Sequence, residues 1–157
     1  MKKPEKDAVR VIATNRKASH DFFIHERFEA GLQLVGSEVK SLREAAVTMA
    51  DGWVEIKRKQ AYLHGIQINE YAQANRWQHE VARVRKLLMH RREIDKLATK
   101  TLIKGFTLIP LQLYFKGGLA KVELALVTQK KSHDKRAQKR EADDKREIDR
   151  EMKKHAR

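Results

Sequence analysis

The chain has 157 residues, enough for one modest core and an appendage, and carries a formal charge of +14, with 35 Lys and Arg against 21 Asp and Glu. It has no cysteine, which excludes disulfides, thiolate chemistry and Cys-based zinc sites. No apolar run reaches membrane-span length and no signal-like apolar segment opens the chain, so a soluble, cytoplasmic protein without a membrane partner is expected.

Residues 1–8 are expected to form a flexible, charged N-terminus. Residues 22–34 alternate: Phe22, Ile24, Phe28, Ala30, Leu32 and Leu34 share one face and His25, Arg27, Glu29 and Gln33 the other. This predicts a half-buried strand, with Glu26 misplaced on the apolar side and Gly31 marking a bulge or bend. At residues 36–46 the period becomes helical through Val39, Leu42 and Ala46, with Ser37 as N-cap. Asp51-Gly52 signals a turn before residues 53–59, and residues 62–71 read as a strand interrupted at Gly65. Residues 72–83 are polar and irregular, and Leu87, Leu88 and Met89 form a short apolar run. A second helix is predicted over residues 91–104, its stripe being Ile94, Leu97, Ala98 and Leu102, closed by Gly105. Residues 106–116 and 119–128 alternate around Gly117-Gly118, a two-residue hairpin signal, and Pro110 implies an edge or a bulge.

The sum is a mainly β body at residues 9–129, with five or six antiparallel strands and short helices, which in this length favours a small closed barrel. Residues 130–157 hold twelve Lys and Arg against seven Asp and Glu, and the rest of the chain keeps a net +9. The folded part is therefore basic in its own right, as expected of a protein steered toward phosphates. Ala137, Ile148, Met152 and Ala156 make one narrow apolar stripe, and Glu141–Lys145 and Asp149–Lys153 are favourable i,i+4 pairs. One such stripe cannot offset the entropy of ordering the tail, so disorder is expected until a partner supplies packing.

Enzyme signatures are missing. His79-Glu80 begins like a zincin motif, but Arg83 stands where the second His is required, and no phosphate-loop or nucleophile-elbow pattern occurs. No catalytic residue, metal or cofactor is expected. A structural ribosomal protein fits the composition equally well, whereas a general single-strand binder would need more aromatics than the 6% present.

Five ordered motifs carry a resemblance: Asn15-Arg16-Lys17-Ala18-Ser19-His20-Asp21-Phe22, Phe28-Glu29-Ala30-Gly31, Gly36-Ser37-Glu38-Val39-Lys40-Ser41-Leu42-Arg43, Arg85-Lys86-Leu87-Leu88, and Lys130-Lys131-Ser132-His133-Asp134-Lys135-Arg136. From about Asn15 onward the chain resembles the SsrA-binding (small protein B) family, the bacterial partners of transfer-messenger RNA (tmRNA). The resemblance implies an OB-like closed antiparallel barrel of six strands with a basic C-terminal tail, disordered when free and helical on the ribosome. It implies a monomer that binds the tRNA-like domain of tmRNA in place of an anticodon stem. Delivery to stalled ribosomes for trans-translation would follow, with the small subunit as partner and elongation factor Tu engaged indirectly through aminoacylated tmRNA.

Carried onto this chain, the tmRNA-binding set is Asn15, Arg16, Lys17, His20, Glu29, Lys40, Arg43, Arg85, Lys86, Leu88 and Lys121. The set for the decoding centre and mRNA channel is Lys130, Lys131, His133, Asp134, Lys135, Arg136, Ile148 and Met152. Glu29 is read either as an acceptor for base amino groups or as the ion-pair partner that positions a nearby cation. Leu87 is expected in the core and Leu88 on the RNA. Three positions depart from the family pattern: Gln129 replaces a Gly before the paired lysines, Val81 replaces Pro after His79-Glu80, and Glu151 stands where an apolar residue is frequent.

Overall fold

The computed structural model describes residues 8–155. The expected N-terminal flexibility of residues 1–8 falls almost wholly outside them, and so does Ala156 of the tail stripe. The elements in chain order are β1 (Val9–Thr14), α1 (Ala18–Asp21), β2 (Phe22–Leu32), α2 (Gly36–Arg43), β3 (Val47–Thr48), β4 (Trp53–Lys57), β5 (Gln60–His64), β6 (Gln67–Ile68), a 3-10 turn (Ala72–Ala74), β7 (Arg85–Leu88), α3 (Arg91–Thr101), β8 (Phe106–Lys116), β9 (Leu119–Gln129) and α4 (Ser132–His155).

The main sheet has the order β1-β8-β4-β5-β7-β2-β9, and β9 pairs again with β8. Six antiparallel strands are thus joined in a circuit, with β1 added outside it. Two long strands make this possible. β8 pairs with β4 at Leu108 and with β1 from Gln112 to Lys116, along different parts of one edge. β2 runs along β9 and meets β7 only at Gly31 and Leu32. A Cβ on Gly31 would stand 3.3 Å from Leu88 Cβ, so this glycine admits close strand approach rather than a bulge. The bulge lies at His25, where the register slips between Ile24 and Glu26. Glu26, out of place in the apolar pattern, pairs with Lys96 at 2.8 Å and with Lys100, both on α3.

Gly117 and Gly118 adopt φ of 58° and 82° and close the predicted β8–β9 hairpin, and Pro110 sits at a register shift. A second tight hairpin, β4–β5, turns on Arg58 and Lys59 at φ of 48° and 61°. Neither residue carries a turn signal. The strand predicted over residues 62–71 breaks at Gly65, as expected, where φ is 71°, into β5 and β6. β1 and α1 also escaped the sequence reading.

The core within the circuit holds Leu42, Leu63, Leu87, Leu97, Leu124 and Leu126. A smaller cluster of Ala18, Ile109, Leu111, Ala125 and Val127 lies on the other face of β8–β9, so these strands are apolar on both sides. Leu102, placed on the α3 stripe by spacing, is 87% exposed, because the helix ends at Thr101. α2 begins after Val35, not at Ser37. Glu38 reaches back to accept the Val35 N–H at 3.0 Å, the carboxylate half of a capping box.

The tail is a 24-residue helix, where disorder is expected of the free chain. Every described side chain from Arg136 to Lys154 is exposed. Its first turns touch the body, through Lys135 with Asp21 at 3.1 Å and Gln138 with Lys130 at 2.8 Å; beyond them the support is local, such as the Glu151–Lys154 pair at 3.0 Å.

Candidate nucleic-acid interface

Four of the predicted side chains converge. Glu29, Lys86, Leu88 and Lys121 line one hollow of about 680 Å³, beside His90 and Arg91. Leu88 is 53% exposed while Leu87 is buried. Adjacent strand residues point to opposite faces, so β7 sends Leu87 into the core and Leu88 outward.

Glu29 is the hub of this surface. Its Oε1 accepts a hydrogen bond from Lys121 Nζ at 2.6 Å, its Oε2 accepts one from the Tyr114 hydroxyl at 2.5 Å, and Lys116 Nζ lies 3.5 Å away. The Lys121 bond and then the Tyr114 bond hold the Glu29 carboxyl down to about 2. Burial, reinforced by Glu29, pushes the Tyr114 hydroxyl up. Glu29 is therefore an anion that orients two lysines. Tyr114 was not in the predicted set, yet the Gly117-Gly118 turn fixes a register that pairs Tyr114 with Lys121, a signal present in the sequence.

A second group surrounds α1. Asn15 ties this segment to β8, its N–H donating to Leu111 O at 2.7 Å and its Nδ2 to Pro110 O at 3.2 Å. Arg16, Lys17 and His20 are exposed. His20 Nδ1 lies 2.9 Å from Asp21 Oδ1, which also pairs with Lys135 Nζ at 3.1 Å. The His20 contact and then Lys135 hold the Asp21 carboxyl below its ordinary value. Lys130 is nearly buried at this junction. Its Nζ donates to Ser19 O at 2.7 Å and to Gln138 Oε1 at 2.8 Å, over the Phe23 ring. Lys131, His133 and Arg136 are exposed, and Asp134 and Lys135 half-buried. Ile148 and Met152 are 59% and 66% exposed, one helical turn apart.

Two placements differ from expectation: Lys130, expected at the decoding centre, is held in the junction by its contacts with Ser19 and Gln138, and Arg85, expected on the RNA, lies in the interior. Arg85 is fully buried. Its Nε donates to Glu38 Oε1 at 2.8 Å, and its terminal nitrogens donate to the carbonyls of Ile66, Arg83 and Val81 at 2.8, 2.8 and 3.1 Å. With no free surface for a phosphate, Arg85 belongs to the scaffold. Burial pushes the Glu38 carboxyl up, but the Arg83 hydrogen bond, the Val35 N–H and Arg85 outweigh it and leave the carboxyl below its ordinary value. Lys40 and Arg43 are exposed on α2 but do not line the hollow around Glu29. Lys40 Nζ stands 5.5 Å over the Tyr71 ring, and the Arg43 carbonyl accepts from Arg10 at 2.9 Å.

His79, the start of the zincin-like pattern, is buried. Its Nε2 lies 2.9 Å from the Ile68 carbonyl, which only accepts, so Nε2 carries the proton and Nδ1 accepts from the Ser37 hydroxyl at 2.9 Å. Among the described residues no group of three or more His, Asp or Glu could hold a metal ion, and no helix is long and apolar enough to cross a membrane.

A mainly β scaffold that gathers lysines, an oriented carboxylate and an exposed leucine on one face defines a polyanion-binding protein. The family model described as SmpB protein matches residues 12–154. The chain is 50% identical over 139 residues to the SsrA-binding protein of Geobacter sulfurreducens, covering 88% of this chain and 91% of that one. It is 51% identical over 141 residues to the SsrA-binding protein of Streptomyces avermitilis, covering 90% and 80%. A chain of the solved structure "tmRNA-SmpB: a journey to the center of the bacterial ribosome" superposes with a TM-score of 0.65 at 40% identity, covering 76% of this chain and 85% of that one. The chain belongs to the SmpB family, a family of RNA-binding proteins and not of enzymes.

Proposed function

We propose that this protein binds the tRNA-like domain of tmRNA and carries it to stalled ribosomes for trans-translation in the cytoplasm. The observation that carries the reading is the hollow where Glu29, Lys86, Leu88 and Lys121 meet. Cations on its wall take backbone phosphates, and Leu88 packs against a ribose or base.

The body, residues 9–129, is an OB-like closed barrel built on the six-strand circuit, and it stands where a tRNA would carry its anticodon stem. Asn15, Arg16, Lys17 and His20 extend the contact, with Lys40 and Arg43 as further phosphate ligands. Residues 130–157 are disordered in the free monomer and helical in the mRNA channel. There Lys131, His133, Asp134, Lys135 and Arg136 meet the decoding centre and Ile148 and Met152 supply apolar contacts. Lys130 anchors the junction. Elongation factor Tu takes part through the aminoacylated RNA.

The test is a reconstituted translation reaction on mRNA without a stop codon. Adding this protein together with aminoacylated tmRNA should yield tagged, released peptide, and omitting it should leave the peptide on the ribosome. Equal tagging with and without the protein would refute the reading.

A further inference from the structure

A second groove, of about 500 Å³, lies between α1 and the outer face of β2 and β9. Its lining includes the buried Leu111 and half-buried Ile24, with the exposed Arg16 and Arg27 beside them. One acid faces the groove, Glu123, whose Oε2 lies 3.4 Å from Arg27 Nη1. The Arg27 side chain is 59% exposed, so this long pair is screened by solvent and leaves the guanidinium open to a better ligand. Buried Glu38 and three carbonyls hold Arg85 in the scaffold; nothing comparable holds Arg27.

Position along β2 gives the groove its meaning. Arg27 and Glu29 share the outer face two residues apart, roughly 7 Å along the strand. His20 and Arg16 lie at one end of this line, and the Glu29–Lys121 hollow lies at the other. An RNA strand that touches both ends crosses Arg27. An apolar floor with cationic rims suits a ribose-phosphate chain, because sugars pack on carbon while phosphates take guanidinium groups bidentately.

We propose that Arg27 and Arg16 form a second phosphate-binding groove, which holds the backbone of the same tRNA-like RNA where it runs from the Glu29–Lys121 hollow toward α1. Arg27 is the new ligand, and Glu123 is the anion that the phosphate displaces from it. This inference rests on the proposed tmRNA reading.

The test measures binding of the full chain to a tmRNA tRNA-like fragment over a series of KCl concentrations. Arg27→Gln should weaken binding several-fold at the lowest salt and lower the salt slope by about one phosphate contact, a slope change of about 0.9. Arg27→Lys should keep the slope, and Glu123→Gln should tighten binding. An unchanged affinity and slope in Arg27→Gln, while the unaltered chain still prefers the fragment to an equal-length tRNA, would overturn the groove and leave the main reading standing. An equal loss toward that tRNA would also overturn it, because a nonspecific complex has no fixed register on this face. No preference by the unaltered chain would overturn both.

Discussion

Arg85 Nε donates to Glu38 Oε1 at 2.8 Å, with the two side chains 1% and 0% exposed. The pair joins α2 to the start of β7, the strand that presents Lys86 and Leu88. Breaking a buried pair leaves an uncompensated charge and costs about 3–5 kcal/mol. Arg85→Met should destabilise the protein by that order in urea unfolding. Adding Glu38→Gln to it should cost more again, because Arg83, whose Nη2 lies 2.6 Å from Glu38 Oε2, then loses its carboxylate as well.

Glu29 has a pH signature. Its folded value of about 2 lies below its ordinary 4.5, so its contribution to stability is complete above pH 4.5. That contribution is lost as pH falls from 4.5 toward 2. The side chain is 38% exposed, and solvent screening keeps the contribution below about 1 kcal/mol. In urea melts, the stability difference between the unaltered chain and Glu29→Gln should shrink over that window and be constant above it. Lys121→Ala should lower the salt slope of RNA binding by about 0.9.

Leu87 and Leu88 separate folding from binding. Leu87→Ala empties a core position and should cost about 2–5 kcal/mol. Leu88→Ala removes an exposed side chain and should change stability by under about 0.5 kcal/mol. The second substitution should nonetheless weaken binding to the tRNA-like fragment. Melting curves paired with binding curves check both halves.

From Lys139 to Lys154 the described side chains are exposed and make no hydrogen bond or ion pair to the body. Truncation after Gln138 should leave the melting temperature and RNA affinity of the body unchanged and abolish peptide tagging. A peptide spanning residues 131–157 should show low helicity by circular dichroism in water, because an isolated helix with little packing is marginal.

How much of this was legible depended on whether residues carried their own local signal. Gly117-Gly118 announced its hairpin and through it the Tyr114–Lys121 register, and the apolar run at Leu87 announced its burial. The Arg58-Lys59 hairpin did not, because both residues are held at positive φ by strand pairing rather than by intrinsic preference. α1 is one turn long, too short for periodicity. Arg85 misled for a related reason. A basic run reads as surface, and only the fold brings Glu38 and three carbonyls around one of its members while leaving Lys86 half-exposed.

The central claim is selective recognition of a tRNA-like RNA by the face around Glu29 and Lys121. Its most direct test is the affinity of the full chain for a tmRNA tRNA-like fragment and for an equal-length tRNA, at low and at high salt. The expected result is a preference for the fragment that persists at high salt, where nonspecific phosphate attraction fades. Equal and steeply salt-dependent binding to both RNAs would contradict it.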